Sequence, residues 1–342
     1  MKRLIIIILT NILTNILSIY GYTEIPLYRH WNCIGTSKSI KIDKPYTFNV
    51  GEIPLIAWKA KNNTAFATLN ICKHFGSKLD DGWIENDCLV CPYHGLRHGY
   101  NERCGDIIDY DGKIWWAFNP INDLPPKIPY NSEEFQISHI EVDMDEDMPF
   151  CMYNAMDINH AEYIHNGIFG FGSKIPIKNY THINNNNQII GASFEHHIRK
   201  NIKLLNKNFK VGDDLYTKNY HEFIYPSTTW SVVQQGNINK LVVGVSMTPI
   251  STIKTKWIIT LKHNYMKDIF STELLKFATK QIIGQDKKQF KRQVKNKLLK
   301  DNFTFKRYLS YENHMNEMYK LFKNYKYPLL KDFIIDLNKN NW

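Results

Sequence analysis

The sequence predicts an α+β chain in two parts: a unit of short strands and tight turns, then an antiparallel sheet with helices packed on it. Three observations support this. From Tyr28 to Phe118 the chain reads as brief strand-like runs, such as Ala57-Trp58-Lys59-Ala60 and Ala65-Phe66-Ala67-Thr68-Leu69, punctuated by Asp81-Gly82 and Asp111-Gly112. Pro120 to Pro129 holds four prolines and reads as a linker. Beyond it, a strand near Phe135 and runs at Gln188–Arg199, Tyr220–Gln234, Leu241–Thr248 and Lys256–Lys262 precede one long helix, Ser271 to Lys300. Asn184 to Asn187 is a polar tract that reads as a loop tip, and no internal repeat is visible.

Residues 1–24 read as an N-terminal apolar, amphipathic helix. Leu9, Ile12, Leu13, Ile16 and Leu17 recur at helical spacing, and Thr10, Asn11, Thr14, Asn15 and Ser18 fill the other face. A membrane span needs about 20 mostly apolar residues. An interfacial or packed helix therefore ranks first, a membrane anchor second and a secretion signal third. The chain is expected to be cytoplasmic or membrane-associated. The remaining boundaries are drawn at 25–125 and 135–342.

With 342 residues, 43% of them hydrophobic, the chain is long and apolar enough for a sizeable core, which excludes disorder. Its net charge of +10 goes with a Lys-, Asn- and Ile-heavy composition. No nucleic-acid-binding signature accompanies it, so no nucleic-acid partner is expected. Six cysteines, Cys33, Cys72, Cys88, Cys91, Cys104 and Cys151, are too sparse for a disulfide scaffold and favour metal ligation by some of them.

Cys72-Lys73-His74 and Cys91-Pro92-Tyr93-His94 form two mixed pairs, with 16 residues between His74 and Cys91. Gly76 and Gly95 follow them closely, as loop tips require. Two thiolates can hold one iron and two imidazoles the other, the mixed ligation of a Rieske cluster. A zinc finger usually groups Cys with Cys and His with His, so zinc is the weaker reading.

The second constellation is Asn154, Asp157, His160 and His165. On a helix Asp157 and His160 are neighbours at i,i+3. His160 and His165 would splay by about 140° on a regular helix and converge only if it loosens or ends, as Asn166-Gly167 suggests. A facial triad needs a carboxylate as well. Asp286 lies on a stripe with Ala278, Ile282, Phe290 and Val294, where an acid is costly unless paired or metal-bound. A coincidental pair of surface histidines and a solvated Asp286 are the bland alternatives.

Asn70-Ile71-Cys72-Lys73-His74, Cys91-Pro92-Tyr93-His94-Gly95 and Lys113-Ile114-Trp115-Trp116-Ala117 resemble the Rieske domain of ring-hydroxylating and demethylating oxygenases, from Trp31 to Phe118. Phe75 stands where the family often has Arg, and Leu96 where it often has Trp. The pattern Asn-x2-Asp-x2-His-x4-His and the later Gln285-Asp286 match the same terminal oxygenases, nearest in motif to aromatic O-demethylases and chlorophyll-pigment oxygenases. The resemblance implies an all-β Rieske [2Fe–2S] domain followed by a helix-grip-like catalytic domain. It implies cluster ligands Cys72, His74, Cys91 and His94, and mononuclear Fe(II) on His160, His165 and Asp286. It implies that Asp157 bridges His160 to a Rieske histidine of a neighbouring subunit in a homotrimer. The expected reaction is O2-dependent hydroxylation or oxidative demethylation of a small, largely apolar substrate of aromatic, sterol or pigment type. No GxGxxG dinucleotide site is present, so electrons are expected from a separate reductase or ferredoxin. A Rieske electron-transfer protein without oxygenase activity is the alternative. The basic stretch Lys287 to Lys300 reads as a solvated helix face before it reads as a docking site for an acidic donor.

Overall fold

The structure is a computed structural model, and it describes residues 25–130, 133–165, 177–185, 189–198, 201–204, 207–210, 215–236, 239–294, 313–322 and 325–339. The expected N-terminal helix, Asn166-Gly167 and 295–300 lie outside them.

The first unit contains β1 (Asn32–Thr36), β2 (Tyr46–Val50), β3 (Ile53–Lys59), β4 (Ala65–Leu69), β5 (Trp83–Glu85), β6 (Cys88–Val90), β7 (Arg97–His98), β8 (Asp106–Tyr110) and β9 (Lys113–Ala117). They form three small antiparallel sheets, ordered β1-β9-β8, β2-β3-β4 and β5-β6-β7. Asp111-Gly112 closes the β8–β9 hairpin with both residues at positive φ, 51° and 73°. That backbone suits the twist of a two-residue hairpin and favours this residue pair. The expectation differs at β5–β6, where Asn86-Asp87, also at positive φ, makes the hairpin. Asp81-Gly82 only leads into β5.

After an irregular connection through the four prolines come β10 (Gln136–Met144), α1 (Met148–Met156) and α2 (His160–Ile164). Then follow β11 (Lys178–Asn185), β12 (Ile189–Ile198), β13 (Asn201–Leu204), β14 (Lys207–Lys210), β15 (Leu215–Ile224), β16 (Thr228–Gln235), β17 (Asn239–Ser251) and β18 (Lys254–His263). Helices α3 (Ile269–Val294), α4 (Asn313–Phe322) and α5 (Leu330–Lys339) complete the described chain. A seven-stranded antiparallel sheet runs β10-β18-β17-β16-β15-β12-β11, and β13–β14 is a separate hairpin. The run read as one strand at 220–234 is two, because Tyr225, Pro226 and Ser227 turn the chain between β15 and β16. One face of the sheet, with Ile190, Phe223, Val245, Ile259 and Ile140, packs under α1, α3 and α4 to form the main core.

Helix α5 belongs spatially to the first unit. Phe333 is fully buried there, edge-on to Tyr28, Trp116 and Phe118 at centroid distances of 5.1–6.1 Å. Tyr28 donates to the Asp336 carboxylate at 2.6 Å. The 135–342 boundary therefore leaves out one feature: the last described helix crosses back.

A buried charge cluster ties the two units together. Lys262 of β18 donates to both Asp111 oxygens, at 3.1 and 3.2 Å, and to the carbonyls of Ile128 and Tyr130. Lys113, also fully buried, has its Nζ 3.7 Å from Asp111 and 5.2 Å from the Trp115 ring centroid. Burial pushes both lysines below their ordinary pKa, and the Asp111 charge opposes it. One carboxylate thus serves two buried ammonium groups. Asp111→Asn keeps a residue that tolerates the left-handed turn and removes the charge. It is expected to lower unfolding free energy by about 3–5 kcal/mol. The check is a fall in the denaturation midpoint with unchanged slope.

Candidate metal centres

The two Cys/His loops are structural twins. Cys72 N donates to Ser77 O at 2.7 Å and Gly76 N to Cys72 O at 2.8 Å; Cys91 N donates to Leu96 O at 2.8 Å and Gly95 N to Cys91 O at 3.0 Å. Each loop closes on a glycine at positive φ, 68° for Gly76 and 72° for Gly95, a backbone that costs a side-chain-bearing residue about 1–2 kcal/mol. The result buries Cys72 and Cys91 and leaves His74 and His94 exposed, with ring centroids 5.1 Å apart. Burial raises the Cys91 pKa, but the N–H groups of Tyr93 and His94 and the side chains of Cys72 and Ser77 outweigh it, so Cys91 is held below its ordinary value.

No three of these four donors form a group of ligand atoms within 4.8 Å of one another; among the described residues His160, His165 and Asp286 do. A single tetrahedral zinc would need its four donors about 3.5 Å apart. The loops instead present a thiol pair below and an imidazole pair above, as two bridged irons require. Phe75, Tyr93 and Leu96 stand exposed around this tip.

The second centre depends on a break in the helix. Asp157 ends α1 with an extended backbone (ψ 106°), and α2 starts afresh at His160. The i,i+3 neighbourhood expected for Asp157 and His160 on one helix is therefore replaced by a turn. Asp157 Oδ1 accepts from the N–H groups of Asn159 at 2.9 Å and His160 at 3.3 Å. Nδ1 of His160 bonds the backbone carbonyl of Asp157, where the sequence suggested the carboxylate. His165 is the C-cap residue of α2, already off helical backbone (φ −92°, ψ 29°). The loosening that convergence required is thus present at both ends. The two Nε2 atoms lie 3.2 Å apart, and Asp286 Oδ1 is 3.7 Å from one and 3.6 Å from the other.

Asp286 reaches this point from α3. The buried stripe there is Thr272, Thr279, Ile283, Asp286 and Phe290. It is rotated from the expected stripe, since Ala278 and Ile282 are only half-buried and the Val294 side chain is outside the described set. Burial pushes the Asp286 carboxyl up to about 6, against the His160 charge and a 3.5 Å hydrogen bond from Asn154 Nδ2. Burial and then the His160 charge push His165 down to about 4, against its bond to Gln285. Two imidazoles with one buried carboxylate are the donor set of a non-haem iron or zinc site. A cation would favour the ionised acid and the free imidazole nitrogens at once.

Sequence reasoning missed the brace under this turn. His314 of α4, fully buried, bonds the Met156 carbonyl through Nε2 at 3.0 Å and the Tyr180 hydroxyl through Nδ1 at 3.1 Å. It fixes the end of α1 one residue before Asp157. No local motif marks His314.

Residues 30–112 match the Rieske [2Fe–2S] domain family. The chain is 28% identical over 115 residues to the 3-ketosteroid-9-alpha-monooxygenase oxygenase component of Rhodococcus rhodochrous, covering 29% of each. It is 28% identical over 146 residues to the dicamba O-demethylase oxygenase component of Stenotrophomonas maltophilia, covering 36% of this chain and 43% of that one. The matched segments thus span less than half the length of these curated relatives. The fold matches that of dicamba monooxygenase bound to 3,6-dichlorosalicylic acid, with TM-score 0.73 and 17% identity over 87% of this chain and 97% of that one.

Gln285 Oε1 accepts from His165 Nδ1–H at 3.0 Å and so sets which ring nitrogen faces the centre. Gln285→Leu is expected to weaken the binding of a divalent transition-metal ion at His160, His165 and Asp286 about 10–100-fold, measured by competition with a chelator. An unchanged affinity would show that the bond orients nothing.

Proposed function

We propose that this chain, which carries a Rieske [2Fe–2S] domain on a Rieske-oxygenase fold, uses O2 and externally supplied electrons to hydroxylate or oxidatively demethylate a small, largely apolar substrate. The observation that carries the proposal is the convergence of His160, His165 and Asp286 within 4.8 Å, on the same chain as the twin Cys/His loops. A pure electron carrier has no use for the second set. The relatives named for dicamba and for 3-ketosteroids point to an aromatic or sterol-like molecule.

Cys72 and Cys91 would hold one cluster iron, and His74 and His94 the other; His160, His165 and Asp286 would hold a mononuclear Fe(II). When bound, the cluster supplies single electrons and the mononuclear iron supplies a centre for O2. The chain's own groups prepare that centre: Gln285 and the Asp157 carbonyl each take the Nδ1 of one imidazole, which leaves both Nε2 atoms turned inward. Asp157 is the positioning residue, because its carboxylate also pins the turn that starts α2.

Partners follow from the same reading: a separate reductase or ferredoxin as donor, and two further copies in a homotrimer, with Asp157 approached by a partner's cluster histidine. The domain division at 25–125 and 135–342 is part of the proposal, with α5 assigned to the first unit. Among the described residues no helix is long and apolar enough to cross a membrane.

Anaerobic reconstitution tests the two-centre reading. It is expected to load about three irons per chain, and His160→Ala about two, with acid-labile sulfide unchanged. Two irons in the parent protein would favour the electron carrier, and sulfide lost in the variant would sink the separation of the centres. Asp157→Asn retains a capping side chain and loses only charge. Both centres should stay loaded while cluster reoxidation in a single turnover slows about 10–100-fold. A normal rate would leave Asp157 with a capping role alone.

A further inference from the structure

The register of the large sheet runs one row of cross-strand partners from edge to edge: His182, Ala192, His221, Ser231, Val243, Leu261 and Ser138. Partners in register share a face, because side chains alternate along each strand. This row lies on the helix-covered face. The row beside it contains Phe223 and Thr229, and Thr229 Oγ1 contacts Met156 Sδ at 2.8 Å, at the end of α1. His221 is therefore one step along the sheet from the point where the chain leaves α1 for Asp157 and His160.

Its ring stands 5.2 Å from that of Phe194, and its Nδ1 is buried with no hydrogen-bond partner. An unpaired buried polar atom is costly and calls for a partner supplied from elsewhere. The neighbouring rows offer polarity without charge: Asn219 and Thr217 on β15, and Gln235 on β16. Every Lys, Asp and Glu of these strands falls in the opposite register; Lys218 opposite Glu195 and Glu222 opposite Gly191 are examples. Among the described residues, the charged groups that come to this face from the helices and the turn before α2 are acids: Asp286, Asp157 and Glu317, the last 3.1 Å from His182 Nε2. Burial, followed by the charges of His314, His160 and His196, pushes His221 down to about 3, so its imidazole is neutral. Among the described residues no Lys of the sheet strands faces this row, and the unpaired Nδ1 of His221 is left to bond a neutral oxygen.

We propose that His221 is the specificity-determining residue of the site, and that its Nδ1 hydrogen-bonds an uncharged oxygen (ketone, amide or hydroxyl) of an otherwise apolar substrate. This rests on the oxygenase reading only in placing the substrate beside His160, His165 and Asp286. It deepens that reading by separating two substrate classes that the relatives leave together, neutral carbonyl compounds and aromatic acids.

The test is equilibrium binding without turnover, by anaerobic calorimetry on the iron-loaded protein. Probes come as pairs of equal shape: dicamba and its primary amide, and 3-oxo-4-androstene-17β-carboxylic acid and its amide. At least one amide is expected to bind about tenfold tighter than its acid. His221→Phe, which keeps the ring and loses the nitrogen, should weaken the amide about tenfold and leave the acid unchanged, and His221→Gln should restore part of the loss. Iron content and circular dichroism confirm that both variants are folded. The proposal is overturned if the acids bind as tightly as the amides or tighter, or if His221→Phe leaves amide affinity unchanged. It is equally overturned if no amide binds below about 1 mM. Binding does not require oxygen chemistry. Tight amide binding with no O2 uptake would therefore count against the oxygenase and not against His221, and turnover of an acid probe would do the reverse.

Discussion

Everything at the second centre hangs on one interruption of the backbone. Two histidines five residues apart on an unbroken helix face different ways. Here the helix stops at Asp157, restarts at His160 and is over by His165, so both imidazoles swing to one point. The carboxylate of Asp157 repairs the break by taking the N–H groups that the new helix leaves open. From the other side, His314 takes the Met156 carbonyl near the end of the old one. With both stubs satisfied, the interruption is a defined geometry instead of a fray. Only then can Asp286, fixed on a long helix that packs through Ile283 and Phe290, meet the pair.

The first centre is built on the opposite principle. Its loops have no helix to position them; each is a short turn closed by two backbone hydrogen bonds and released by a glycine. Rigidity comes from the small sheets beneath, where Cys72 and Cys91 pack with Trp58, Leu79 and Leu89. The thiols share that apolar floor while the imidazoles project toward solvent. One side of such a centre is insulated and the other is accessible to whatever delivers or removes an electron.

The parts of the molecule legible in the sequence were those where spacing encodes geometry. The mixed Cys/His pairs, the Asp-Gly hairpin at 111–112 and the long runs of Val, Ile, Trp and Thr in β17 and β18 all report local rules that the fold obeys. His160, His165 and Asp286 could be named because each sat in a motif, and their meeting could be anticipated only as a condition, that the helix end. What stayed hidden was tertiary. Asn86-Asp87 and Asp81-Gly82 look alike as turns, and register decided which closes a hairpin. The stripe on α3 is turned because Ile283, not Ile282, packs into the main core. The role of His314 leaves no local trace, since it is defined by a partner far along the chain, whereas α4 and α5 carry apolar residues at helical spacing, Met315, Met318 and Phe322 on the one and Phe333 and Leu337 on the other.

The return of α5 to the first unit has a consequence for how this protein is made. The bond from Tyr28 to Asp336 spans 308 positions, and Phe333 fills the space between Tyr28, Trp116 and Phe118. During synthesis the N-terminal unit emerges first, with that space open and its aromatic rings facing water. Its sheets β2-β3-β4 and β5-β6-β7 can pair early, because their contacts are local. Its final packing must wait until residues 330–339 have been made, and by then the whole second unit has been threaded between. The closing helix acts as a late latch, joining biosynthetic completion to the stability of the part that was born first.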